Sequence, residues 1–129
     1  MEKIKVLIAD DHRVVREGLA AILKMKDDIH IVGEAQDGME AVEKVKTLFP
    51  DVVLMDVSMP RMGGVEATRQ IKREFPHIGI VALTMYDEQQ YIFDLVRAGA
   101  TGYLLKDSES SQIVAAIRAI YKGESLIHP

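Results

Sequence analysis

The 129-residue chain has no cysteine and no tryptophan. Disulfide frameworks, thiolate metal sites and cysteine nucleophiles are therefore excluded. Positive charge is in deficit: 16 Lys and Arg face 20 Asp and Glu, for a formal net charge of −4. That balance argues against nucleic-acid binding by this segment, which would need a basic stripe. No apolar run approaches the length of a bilayer span. The opening Met1-Glu2-Lys3-Ile4-Lys5 has no signal-peptide layout, so a cytoplasmic location with no membrane contact is expected. What remains is an ordinary globular mixture, 48% hydrophobic and 28% charged. A chain of this length fits one domain and buries roughly two-thirds of its unfolded surface.

Short, continuous apolar runs recur: Val6 to Ala9, Val52 to Met55, Ile80 to Leu83 and Tyr103 to Leu105. Continuity, rather than alternation, is what a parallel strand covered on both faces requires. The more mixed run from Ile29 to Gly33 suits an edge strand. Helical stripes lie between the runs. They are Val15, Leu19, Ile22 and Leu23; Ala41, Val42, Val45, Leu48 and Phe49; Val65, Thr68, Ile71 and Phe75; Ile92, Leu95 and Val96; and Ile113, Ala116, Ile117 and Ile120. Pro50 and Pro76 stop helices before strands, Gly99 and Gly123 sit just past helix ends, and Asp107 or Ser108 is placed to cap the last helix. Five βα units with short connections predict an α/β fold with a parallel sheet and helices on both faces.

The acidic residues fall at telling places on this frame. Asp10 and Asp11 follow the first strand, and Asp56 follows the third. In open α/β sheets, ligands sit beyond the carboxyl ends of the strands, where the strand order reverses. If the first and third strands are neighbours, three carboxylates converge. Such a cluster is costly unless a cation neutralises it or protons are retained. Oxygen-only ligands suit a hard ion such as Mg²⁺. Thr84 closes the fourth strand and Lys106 the fifth. Acids, a hydroxyl and a fixed cation on one rim can stabilise a phosphoryl group, and an aspartate there can itself be the nucleophile.

The residues that carry this pattern are Asp10-Asp11, Met55-Asp56 with Met59-Pro60 and Gly63-Gly64, Leu83-Thr84, and Gly102-Tyr103-Leu104-Leu105-Lys106. Together they resemble the response-regulator receiver domain of two-component signalling, over essentially the whole chain. The stretches Ala9 to His12, Leu83 to Glu88 and Arg97 to Tyr103 are similar to the NarL/FixJ (LuxR-type) subgroup. The resemblance implies a flavodoxin-like sheet of order 2-1-3-4-5. It also implies that Asp56 accepts a phosphoryl group from a histidine kinase. Asp11, Asp56 and the main-chain carbonyl of Ser58 would hold Mg²⁺, with Asp10 acting largely through water. Lys106 and Thr84 would hold phosphoryl oxygens, and Tyr103 would change rotamer when Thr84 moves.

The chain departs from the family at several points. Asp107 follows Lys106, where many members carry proline after a cis bond; without proline a cis bond costs about 3–4 kcal/mol. Met85 is bulkier than the small residue often found after the threonine. Ser58 and Tyr86 occupy positions that tune dephosphorylation, and Tyr86 is close enough to compete with Tyr103 as reporter of the switch.

Other chemistries fit less well. An aspartyl phosphatase would want a second Asp two residues after Asp56, where Ser58 stands. A flavin or nucleotide site would want a Gly- or Ser-rich loop after the first strand, where Asp10-Asp11-His12-Arg13 stands. A plain interaction module would not need all five polar positions. His12, His30, His77 and His128 show no ligand spacing and read as surface residues, and Gly63-Gly64 reads as a flexible turn. Residues 1–123 are expected to form the receiver and 124–129 to begin an exit linker. Members of the subgroup carry a DNA-binding helix-turn-helix beyond that point, so DNA would be reached only through an output domain outside this chain. The alternative is a stand-alone receiver that acts through protein contacts. Val114, Ala115 and Ala119 on the last helix, beyond its inner stripe, suggest a phosphorylation-dependent homodimer.

Overall fold

A computed structural model of the chain describes residues 2–85 and 90–126. Five strands alternate with five helices: β1 (Ile4–Ala9), α1 (Arg13–Lys24), β2 (Ile29–Ala35), α2 (Gly38–Leu48), β3 (Val52–Asp56), α3 (Gly64–Glu74), β4 (Gly79–Thr84), α4 (Ile92–Ala98), β5 (Gly102–Leu105) and α5 (Ser110–Tyr121). The sheet is parallel with the order β2-β1-β3-β4-β5. The flavodoxin-like expectation holds, and the mixed strand β2 lies at an edge.

The continuous apolar runs feed two cores at once because successive strand side chains point to opposite faces. Ile4, Val6, Ile8, Leu54, Val81 and Leu83 pack under α1 and α5. Leu7, Val53, Met55 and Ile80 pack under α2 and α3. A smaller cluster of Val57, Ala82, Leu95 and Ala100 seats α4. Both faces of β3 are therefore dry, which fixes where its last residue, Asp56, must end.

Several details differ from the sequence reading. Val114 is not free for a partner: the buried stripe of α5 is wider than one row, and Val114 joins the core that α1 and α5 share over the sheet. Phe49 leaves its stripe. It is the left-handed C-cap of α2 (φ 49°), exposed and edge-on to Phe75 at 6.1 Å. Val96 is also exposed, because α4 spans only 7 residues and buries just Leu95 and Ala98. The last helix is capped by Glu109, through a reciprocal bond with Gln112, and not by Asp107 or Ser108. The Lys106–Asp107 peptide is trans. Tyr86 and His128 lie outside the described residues.

Candidate functional site

Register gathers the polar residues. Ala9 pairs with Met55 and Asp56 with Leu83, so Asp10 and Asp56 leave neighbouring strands at one level. Thr84 pairs with Leu105, which places Lys106 one step further along the same rim. Asp10, Asp56 and Thr84 are fully buried. Lys106 is 14% exposed and reaches across β4, with Nζ 3.0 Å from Asp56 Oδ1 and 3.2 Å from Asp10 Oδ2.

The two carboxylates of the pair are not treated alike. Asp10 is tied into the β1–α1 corner: its Oδ1 accepts the His12 amide at 2.8 Å, and Arg16 Nη1 donates to its carbonyl at 2.7 Å. Asp56 Oδ1 accepts the Ser58 amide at 3.3 Å as well as the Lys106 cation. Asp56 Oδ2 and Asp10 Oδ2 are buried with no hydrogen bond, and for Asp10 Oδ2 the Lys106 contact is a charge approach without hydrogen-bond geometry. Orphaned buried oxygens are expensive and rare. One ligand atom each from Asp10, Asp11, His12 and Asp56 lies within 4.8 Å of the others. The carboxylate oxygens suit a small hard cation, and two of them lack a partner, so the donor set fits Mg²⁺.

Electrostatics agree. Burial pushes the Asp56 carboxyl up to about 6; the Lys106 ammonium pulls against that, and the Asp10 charge adds to it. For Lys106, burial pulls down, but Asp56 and Asp10 together outweigh it and hold the ammonium above its ordinary value. The pocket has more negative charge than one lysine offsets.

Of the expected residues, Asp10, Asp11, Asp56 and Lys106 converge, and Ser58 touches Asp56 through its amide. Thr84 stands at the rim, with its hydroxyl 3.5 Å from the Leu104 carbonyl. Tyr103 is paired with Ala82, two residues before Thr84, hence on the same sheet face, and is partly exposed. His12 is exposed, as expected, but its Nδ1 lies 3.1 Å from Asp11 Oδ1 and 3.3 Å from Asp10 Oδ1, which the sequence reading did not foresee. Its place directly after the acids was the available signal.

Gly63-Gly64 is not a flexible turn. A Cβ on Gly64 would lie 2.1 Å from the Asp56 carbonyl oxygen, so α3 can start beside the acid only from glycine. A second tie was missed. Asp37 caps α2 by accepting the Glu40 amide at 2.8 Å, and Arg61 from the β3–α3 loop pairs with its other oxygen. The Asp37-x-x-Glu40 spacing is a capping signature that could have found the first half; nothing in the sequence pairs Arg61 with it.

Residues 6–118 match the family of response regulator receiver domains. This chain belongs to that family. The receiver is 46% identical over 127 residues to the oxygen regulatory protein NreC of Staphylococcus carnosus and 39% identical to the transcriptional regulatory protein DegU of Brevibacillus brevis. Each alignment takes in 98% of this chain but only 58% and 54% of those proteins, so the chain spans little more than half of its curated relatives. Among solved structures, a LuxR-family response regulator from Aurantimonas superposes with a TM-score of 0.90 at 34% identity, covering 99% of this chain and 91% of that one. The receiver domain of the putative response regulator NarL from Mycobacterium tuberculosis gives 0.89 at 35%, covering 96% and 100%. The kinship with NarL/LuxR-type regulators matches the motif reading. Among the described residues, no helix is long and apolar enough to cross a membrane.

Proposed function

We propose that this receiver is a phosphorylation switch in which Asp56 takes a phosphoryl group from a histidine kinase. The observation that carries the reading is the asymmetry of the Asp56 carboxylate. Oδ1 is held by Lys106 and by the Ser58 amide, which fixes the plane of the group, while Oδ2 is buried without a hydrogen bond. Oδ2 is the attacking atom. Its bond to phosphorus forms as the bond from phosphorus to the donor imidazole nitrogen breaks, leaving an acyl phosphate on Asp56 and a neutral histidine on the donor. Lys106, already 3.0 Å from the carboxylate, meets the incoming phosphoryl oxygens as a fixed charge. The Thr84 hydroxyl donates to one of those oxygens once its loop shifts, and Tyr103 follows on the same face. Phosphorylation thus adds charge and acceptors at one rim and favours the loop arrangement that donates to them.

Asp11, Asp56 and the Ser58 carbonyl would hold Mg²⁺, with Asp10 acting through water. When bound, the ion offsets repulsion between carboxylate and phosphoryl oxygens and stabilises the charge that develops between them. The only chemistry assigned is the protein's own phosphorylation and dephosphorylation; no external substrate is turned over. Residues 1–123 form the receiver and 124–129 lead toward an output domain. Because its relatives include a named transcriptional regulator, the parent is assigned a DNA-binding output in the cytoplasm. A phosphorylation-dependent homodimer through α5 keeps only Ala115 and Ala119 as support.

Acetyl phosphate with Mg²⁺ is expected to label one site, and Asp56→Asn is expected to abolish the label. Persistent single-site labelling of that variant would overturn the assignment. Beryllofluoride with Mg²⁺ should shift the amide resonances of Asp56, Thr84 and Tyr103 together.

A further inference from the structure

The loop between β3 and α3, residues 57–63, carries Ser58 and borders Asp56, and its fastening is unusual. Arg61 lies in the left-handed region at φ 65°, which side-chain-bearing residues rarely adopt. Its guanidinium reaches Asp37 through both Nε, at 3.0 Å, and Nη2. The Asp37 side chain is only 2% exposed, whereas that of Arg61 is 69% exposed. A buried carboxylate at the N-cap of α2 is thus closed over by a surface arginine from the loop beside the phosphoacceptor. Backbone bonds follow the same path: the Gly38 amide donates to the Met62 carbonyl at 2.8 Å, and the Gly64 amide to the Val57 carbonyl at 2.8 Å. A Cβ on Gly38 would lie 2.4 Å from the Met62 oxygen, so the loop and the α2 N-terminus are in direct contact.

We propose that the Asp37–Arg61 pair is a positioning device that holds the β3–α3 loop, and with it the Ser58 main chain, in the geometry needed for Mg²⁺ and phosphoryl transfer. The inference rests on the reading of Asp56 and Ser58 given above. The pair acts through the loop and touches no reacting atom. Its strained backbone is retained because a charge-assisted bond to a buried acid holds it. Without that bond, Arg61 relaxes toward ordinary φ, and the Ser58 carbonyl samples several directions. Supporting groups of this kind commonly set metal affinity by about an order of magnitude.

The whole chain is compared with Arg61→Ala, Asp37→Ser and the double variant. Serine keeps an N-cap oxygen for the Glu40 amide but cannot pair with arginine, so the two single changes break the clamp from opposite sides. Losing Arg61 leaves the buried Asp37 carboxylate with the Glu40 amide alone, so a urea melt of each variant first establishes that it is folded, and Arg61→Lys keeps a cation over Asp37. Mg²⁺ alone is titrated by amide NMR, and acetyl phosphate labelling is followed from low to saturating Mg²⁺. Each single variant is expected to bind Mg²⁺ about tenfold more weakly and to label slowly at low Mg²⁺, with most of the rate restored at saturation. The metal-free Ser58 amide should shift in both. The double variant should be no worse than either single change, because both remove one interaction. Arg61→Lys should recover part of the affinity. Variants that match wild type in Mg²⁺ affinity and in the Ser58 shift would overturn the clamp while leaving Asp56 as acceptor. So would losses that add in the double variant. A wild-type chain that neither binds Mg²⁺ nor takes label would overturn the functional reading and the clamp together.

Discussion

Asp51 and Asp56 stand at opposite ends of β3 and are the same residue under different rules. Asp51 enters the strand from the base of the sheet. Its Oδ2 accepts the Lys5 amide at 2.8 Å, its own amide donates to the Lys5 carbonyl, and its carbonyl accepts from Gly79. It is a bracket between three strands, with its amide, its carbonyl and one carboxylate oxygen all used. Asp56 leaves the strand at the other rim with one oxygen held and one orphaned, beside a second buried acid. The base of the sheet is resolved for stability; the opposite rim is left in deficit, and that deficit can be met by a cation and a phosphoryl group.

Lys106→Ala tests the contrast most severely. It leaves Asp10 and Asp56 buried without the lysine they share, and acetyl phosphate labelling is expected to slow about a hundredfold. Asp51→Ala should do the reverse, costing about 1 kcal/mol of stability through one lost hydrogen bond with labelling unchanged. Measured labelling rates and urea melts for both variants check the pair; a Lys106 variant that labels normally would erase the distinction.

Glycines sharpen it next. Gly64→Ala places a Cβ against the Asp56 carbonyl, and such overpacking costs about 1–3 kcal/mol. Gly18 on α1 has nothing within 4 Å of its would-be Cβ, and Gly18→Ala should stabilise by about 0.5–1 kcal/mol through helix propensity. Chemical denaturation should give opposite signs for the two.

The pH response of the rim follows from burial. An acid whose pKa is higher folded than unfolded favours the fold when protonated and loses that contribution as it ionises. Asp56, at about 6 when folded, therefore makes the metal-free protein less stable as pH rises from roughly 4 to 6. Asp56→Asn is expected to melt above wild type at neutral pH, with the gap narrowing as pH falls below about 6 and closing only toward roughly pH 4. Millimolar Mg²⁺ should close it too, by binding the folded wild type. A gap unchanged by pH and by Mg²⁺ would contradict the account.

The parts of this molecule legible in sequence are those governed by period and by strand ends. Continuous apolar runs specified both faces of β1, β3 and β4, and strand-terminal placement found Asp10, Asp56, Thr84 and Lys106 before their spatial order was known. Features set by close approach were not legible. Gly64 reads as a flexible position because a sequence does not show the carbonyl that forbids a side chain there. Val114 reads as lying outside the core because a single helical stripe does not show how wide the buried face of α5 is. Arg61 and Asp37 are 24 residues apart and meet only because the order β1-β3 brings α2 beside the β3–α3 loop. Spacing rules for histidine clusters pass over His12, because they do not describe an imidazole leaning on carboxylates.

The smallest effect is expected at the surface. Asp28 and Arg118 form a two-pronged pair at 2.8 and 2.9 Å, far in sequence and exposed to water. The arginine's hydrogen bonds hold the Asp28 carboxyl below its ordinary value. An acid with a depressed pKa stabilises the fold above its unfolded pKa and loses that contribution as pH falls through the folded value. Arg118→Ala should therefore lower the melting temperature only slightly at neutral pH, less in high salt, and hardly at all in strong acid, since solvent and counterions screen exposed pairs. A large, salt-independent drop would mean that α5 depends on this contact to reach the sheet, and would place part of the fold's stability at an edge where the packing of Ile113, Ile117 and Ile120 says it does not reside.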